Sequence, residues 1–435
     1  MDDLCKKLLM TYDANFLNDA PKELKEAFYK EAVKEPECIK GRKVLMSLIK
    51  NYFEQQKPSP AFIGGPKSLT QHRSEFYQKT IYIFGENHSS LMECDERFGK
   101  KAKKEKWGAK KMSIEDFLYY LIRTTCTFID LYIEFPAYKG SGYNRLNFGD
   151  PDIRLQKLLE RFKKCVEYSK RAADDCRLAR VHYFDVRNVK KDGKIIKSSL
   201  IDQFESKVSN IMETYPKLEW ATNFRKLINE NRYIIQIWKG LAEPNDRDFI
   251  NFLMIYELNL NLFVKKELSK IKDPNLIYNI TTFIANEFLE QTKAHRKRWQ
   301  HNVPIILNSI NILDSDDFRK RSRKDNGLIE SINDIVNSGS TLTIRCLVAD
   351  TYLLARVFKD FNMKEIEEKG YKGATDQPDK AHNVIIYAGN AHAEIYRKFL
   401  KQLDFKEIAK TGVSSSEFVT CINMKNFKQP FFSRV

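Results

Sequence analysis

Apolar positions along this chain repeat with two different periods, and the switch between them outlines the fold. Residues 1 to about 57 mix polar and apolar positions at helical spacing. The stretch Lys57-Pro-Ser-Pro-Ala-Phe-Ile-Gly-Gly-Pro66 breaks that pattern and reads as a linker. Beyond it, short continuous apolar runs alternate with helical segments. Strands are predicted at 80–84, 128–135 and 181–186. Helices are predicted at 113–125 and 153–180, the first opened by Ser113 with Glu115 and Asp116 in its first turn. This β-α-β-α-β order predicts a parallel sheet with right-handed crossovers.

From about 198 to 361 the period is helical almost throughout, with breaks expected at Pro216, Pro244, Pro274 and Pro304. Such a stretch is expected to be a helical insertion covering one side of the sheet. Asp350 lies on its apolar stripe of Leu347, Leu354, Val357 and Phe358, so it is expected to be buried and paired, a structural ion pair being the plainer reading than catalysis. Residues 364–383, with Gly370, Gly373 and Pro378, read as a loop. A strand at 383–388, a helix to about Leu400 and a last strand at 417–424 close the chain. The predicted organisation is a helical segment and linker (1–66), a first α/β half (67–197), a helical insertion (198–362) and a second α/β part (363–435). The fold class is α/β, with a mostly parallel central sheet flanked by helices. No repeat at a solenoid period and no heptad array appears.

Composition narrows the class. At 435 residues, 42% apolar and 12% aromatic, the chain can bury a large core. No apolar run approaches the roughly 18 residues of a membrane span. The start lacks a signal-peptide stretch. Eight cysteines without a Cys-x-x-Cys pair read as reduced thiols and argue against a thiolate zinc site. Together these predict an intracellular, cytoplasmic protein. The formal charge is +16, with basic clusters at 100–111, 293–298 and 319–324. These are solvated surface, or they meet a polyanion: nucleic acid, phospholipid head groups or an acidic protein. No zinc-finger or RNP pattern accompanies them.

Two distant segments share one grammar. Ile81-Tyr-Ile-Phe-Gly-Glu-Asn-His88 and Ile385-Ile-Tyr-Ala-Gly-Asn-Ala-His392 are each an apolar run followed by Gly, two residues and His. This step sets an imidazole at a strand's carboxyl end, where open parallel sheets bind ligands. Glu86 and His88 suit a first shell for Zn²⁺, Mn²⁺ or a similar ion. They equally suit a metal-free base and electrophile, or a turn in which Glu86 caps the next helix. Glu134 ends the strand that starts at Phe128, so it falls at the same edge. Asp185 is the matching acid on the third strand, and Arg187 either pairs with it or holds an anionic substrate, the ion pair being the plainer reading. His392 opens a helix, where the dipole favours neutral imidazole. The loop after Glu134, 138–149, is rich in Gly and aromatics and is either a lid or ordinary surface. His72, His295, His301 and His382 are weaker signals. No nucleophile elbow, P-loop, dinucleotide fingerprint or His-Glu-x-x-His helix occurs.

In the order Phe84-Gly-Glu-Asn-His88, Glu134, Gly389-Asn-Ala-His392, the chain resembles the Tiki superfamily. That group includes the erythromycin esterases, the haem-binding uptake proteins, the TraB and GumN proteins and the Tiki proteases. The chain also looks like uncharacterised members of this fold in large DNA viruses. The resemblance covers roughly 78–190 and 383–425. It implies a hydrolase whose Glu86, His88, Glu134 and His392 activate water, with or without a bound Mn²⁺, Zn²⁺ or Co²⁺. Activities within the group differ, so it also implies two alternatives. One is a non-catalytic scaffold, virion-associated if the source is viral; the other is a binder of haem or a small ligand.

Overall fold

Each apolar run of strand type recurs as a strand in the computed structural model. The structure describes residues 60–87, 111–124, 127–138, 157–158, 161–162, 165, 179–191, 194–197, 200–230, 233–253, 262–312, 330–331, 340–364, 378–412, 420–429 and 431–432. The strands are β1 (Phe62–Gly64), β2 (Pro66–Ser74), β3 (Lys79–Glu86), β4 (Lys111–Ser113), β5 (Ile129–Tyr138), β6 (Ala179–Lys191), β7 (Lys194–Lys197), β8 (Asn383–Gly389), β9 (Lys406–Gly412) and β10 (Cys421–Asn423). The helices are α1 (Ile114–Thr124), α2 (Leu200–Thr214), α3 (Lys217–Glu230), α4 (Tyr233–Leu241), α5 (Asp246–Leu253), α6 (Leu262–Leu268), α7 (Pro274–Ile312), α8 (Ser340–Phe358) and α9 (Asn390–Gln402). The fold is mixed α/β, with a central sheet in the order β7-β6-β5-β8-β3-β2-β9 and a small second sheet, β10-β1-β4. In the middle of the large sheet β8 pairs in parallel with both β3 and β5. Its margins are antiparallel, β2 with β3 and β9, and β6 with β7. No helix among the described residues is long and apolar enough to cross a membrane.

The chain divides into two compact units: Met1–Ile133, Asn147–His182 and Phe361–Val435 in the first, Glu134–Leu146 and Tyr183–Asp360 in the second. In the first, Ser113 caps α1 as expected, its Oγ accepting from the Asp116 N–H at 3.2 Å. One face of β3 packs Tyr82 and Phe84 on a carboxyl-terminal aromatic group. Tyr82 stacks on Phe431 at 3.9 Å between centroids, and Phe431 meets Phe117 of α1 at 5.3 Å. In the second unit α7 runs 39 residues. Phe249 of α5 stacks on Phe288 of α7 at 5.4 Å. Glu267 on α6 sits among Lys270, Arg356 and Lys359. Burial pushes its carboxyl up, but Arg356 and Lys359 outweigh this and hold it at about 2. Asp350 is buried, as its place on the stripe predicts.

Several elements depart from the sequence reading, among them β4, β7 and β9, which it does not predict. Residues 62–64, read as linker, form β1, because Phe62 and Ile63 are buried between β10 and β4. Strand β2 was hidden because its inward residues Ser68, Thr70 and His72 are polar, although all three are buried. Pro304, read as a break, lies inside α7. Its missing N–H loses one helical bond, while Val303 and Ile306 beside it are buried and keep the helix seated. Residues 179–180, read as helix, already belong to β6.

Candidate functional site

The two Gly-exit strands are neighbours. Strands β3 and β8 run parallel in a register that sets Gly85 beside Ala388 and Glu86 beside Gly389. Both exits therefore leave one edge of one sheet, as their shared grammar predicts. Strands β5 and β6 lie in the same sheet, beyond β8.

Gly85 is dictated by what crosses it. A Cβ there would lie 2.4 Å from Asn390 Oδ1 and 2.6 Å from Ser68 Oγ, two atoms that hydrogen-bond to each other at 2.6 Å. Only glycine lets α9 start this close to β3. His392 is the third residue of α9 and is buried. Glu86 ends β3 and is 2% exposed. The Tyr387 hydroxyl of β8 donates to Glu86 Oε2, and Tyr387 is itself fully buried. By strand alternation Glu86 shares the face of Phe84 and Tyr82. A carboxylate on so apolar a face needs such a donor. Sequence reasoning missed Tyr387; its one signal was a phenol within an otherwise aliphatic strand run.

The other face of β2 and β3 carries a buried polar layer that seats α9. Arg397 donates through Nε to Thr70 Oγ1 at 3.0 Å, through Nη2 to Ser68 Oγ at 2.8 Å, and through Nη1 to Glu394 Oε1 at 2.6 Å. His72 Nε2 lies 3.0 Å from Thr70 Oγ1. Burial, with Arg397 and Lys410 nearby, lowers the His72 pKa to about 4. Folding thus favours neutral imidazole. Above pH about 6.5 both states are neutral and stability is complete; as pH falls from about 6.5 to 4, only the unfolded chain takes a proton. Denaturant melts are expected to lose up to about 3 kcal/mol across that window, and His72→Gln to flatten it. A wild type with constant stability from pH 7 to 4 would contradict this assignment.

At the start of β5 lies a second buried charge cluster, also missed from sequence. Arg180 donates Nε to Asp130 Oδ1 at 2.7 Å and Nη2 to Oδ2 at 2.9 Å. His182 Nε2 is 3.0 Å from Oδ1. The Arg180 guanidinium also stacks on Phe361 at 3.7 Å and donates to the Pro378 carbonyl at 2.8 Å. Asp130 is fully buried, which alone would raise its pKa. The His182 hydrogen bond and the Arg180 charge together outweigh burial and lower it.

The remaining sequence-nominated residues fall elsewhere. Glu134 is buried in β5, and the pleat groups it with Asp130 and Tyr132; it is the first residue of the second unit. Asp185 is half-buried in β6, within the second unit. Arg187 also belongs to β6, but its side chain, like the whole of His88, lies outside the described residues. The loop at 139–149 and the basic clusters at 100–110 and 319–324 also lie outside them.

No family model, curated protein or solved structure matches the chain.

Among the described residues no three His, Cys, Asp or Glu side chains cluster as a metal site. Glu86 and His392 are donor types that suit borderline divalent ions; Glu86 lies on the Tyr82 and Phe84 face of β3, whereas α9, which carries His392, is seated on the opposite face. A third donor has to come from outside the described residues, and His88 is the one the sequence nominates.

Proposed function

We propose that this chain is a hydrolase of the Tiki and erythromycin-esterase type, with its site at the carboxyl edge of β3 and β8. The observation that carries this reading is the register of Glu86 beside Gly389, which brings the two motif exits to one edge around a buried carboxylate. Glu86 serves as general base toward a water. Tyr387 anchors one of its carboxylate oxygens and so orients the other. His392, in the first turn of α9, is the neutral imidazole whose N–H polarises the reacting carbonyl, and the proton that Glu86 takes from the water passes from Glu86 to the leaving group. His88 completes the set at this edge; Glu134, which the resemblance also nominates, belongs to the other unit and has no part in this reading.

In this reading Glu86, His392 and His88 are the residues that would hold Mn²⁺, Zn²⁺ or Co²⁺. Such an ion, when bound, lowers the pKa of its water and polarises the carbonyl. Calorimetric titration with Mn²⁺ and with Zn²⁺ tests the ligand set. The wild type is expected to bind one of them. Affinity should fall at least about 10-fold in Glu86→Gln and in His392→Ala, as even outer-shell changes cost that much. It should also weaken as pH drops through the imidazole range, where protons compete. Binding that survives His392→Ala undiminished would place the ion elsewhere.

A further inference from the structure

The long helix α7 carries basic residues that point two ways. Arg296 points inward: its guanidinium lies 4.5 Å from the Phe249 ring centroid, donates to the Glu243 and Pro244 carbonyls at 3.0 and 3.2 Å, and pairs with Asp246. It staples α7 to the corner between α4 and α5. The inner face continues through Trp299, Val303 and Ile306, all buried. Lys293, Lys297, Arg298 and His301 are instead exposed. Among the described residues none of these four side chains takes part in an ion pair. No acidic residue of α7 occurs from Gln291 to Ile312; Glu290 lies one turn before Lys293, and beyond it the helix offers no counter-charge to Lys297, Arg298 and His301.

Lys293, Lys297 and His301 recur four residues apart, so they line up about 6 Å from one another along one side of the helix, with Arg298 beside them. A nucleic-acid strand offers a phosphate about every 3.4 Å of axis, so phosphates are within reach of Lys293, Lys297 and Arg298, and His301 adds a hydrogen-bonding imidazole to the row. A membrane surface fits less well. Interfacial helices insert an apolar face, and the apolar face of α7 is already buried. Among the described side chains of α7 the large exposed apolar one is Tyr278, ~20 Å from Lys293 along the axis.

We infer that the exposed face of α7 from Lys293 to His301 is a docking surface for the phosphodiester backbone of a nucleic acid. Recognition there is by charge, without base reading, and the overall charge of +16 adds long-range attraction. The surface is independent of the hydrolytic site proposed above.

The test is fluorescence anisotropy of the full chain with a labelled DNA duplex of about two helical turns, repeated over a salt series. The variant Lys293→Gln/Lys297→Gln/Arg298→Gln changes only exposed side chains. Its slope of log affinity against log salt is expected to be shallower than wild type by about 2 to 3, at roughly 0.9 per phosphate contact. A control, Lys265→Gln/Lys266→Gln/Lys428→Gln, removes equal charge from other exposed positions and should keep most of the wild-type slope. An equal loss in the control would mean that net charge alone binds, overturning the surface. So would an unchanged slope in the α7 variant, or a wild type that binds phosphatidylserine vesicles but no duplex.

Discussion

Asp130→Ala is expected to lower the unfolding free energy of this protein by about 3–5 kcal/mol, because it leaves a buried guanidinium without its counter-charge. Arg180 and Asp130 are paired through two hydrogen bonds, with side-chain exposures of only 9% and 1%. His182 adds a third contact to the same carboxylate. Asp130→Asn keeps the shape but not the charge, so it should recover little. The comparison that isolates burial is Asp116→Asn. Asp116 pairs with Arg161 at the same 2.7 Å, but both side chains are 50% exposed, so the expected cost is under about 1 kcal/mol. Equal losses in the two variants, measured by urea melts, would contradict the account of the buried cluster.

The same carboxylate sets an acid limit. Its folded pKa is depressed, so its contribution is complete above the unfolded value of about 3.9. It is lost as pH falls from there through the folded pKa, where the folded cluster must also be protonated. This loss lies below the window assigned to His72, between about 6.5 and 4, so the two groups separate on one stability curve.

The sequence made the parallel middle of the sheet legible, because β3, β5 and β8 are apolar runs with little polar interruption. It also made legible that the exits at Gly85 and Gly389 share an edge, since each Gly-x-x-His step says where its strand stops. The opposite margin was illegible for a physical reason. Strand β2 faces α9 with Ser68, Thr70 and His72, and their burial depends on Arg397, more than 300 residues away in sequence. No local period reveals such a partner. Asp130 lies in plain view within Phe128-Ile-Asp-Leu-Tyr-Ile-Glu134, but nothing local marks it as paired; Glu134, expected to end this strand, lies inside β5, which runs on to Tyr138. The partner of Asp130, Arg180, is 50 positions away and had been read as helix. Tyr387 is not legible from sequence, because a phenol in a buried strand reads as packing until the carboxylate of Glu86 in the next strand is known.

The central claim is that Glu86 and His392 act as one hydrolytic site. A double-mutant cycle on hydrolysis tests it most directly. Aryl esters and fluorogenic peptides are assayed with and without added Mn²⁺, using wild type, Glu86→Gln, His392→Ala and the double variant, all checked for an unchanged melting curve. The account predicts that wild type turns over one of these substrate classes. Each single variant should lose on the order of 10²–10⁴ in kcat/KM, the scale of a lost acid or base. The double variant should lose no more than the worse single, because groups that act as a unit fail together. Losses that add on a logarithmic scale, single variants as active as wild type, or no hydrolysis of any substrate by wild type would contradict it.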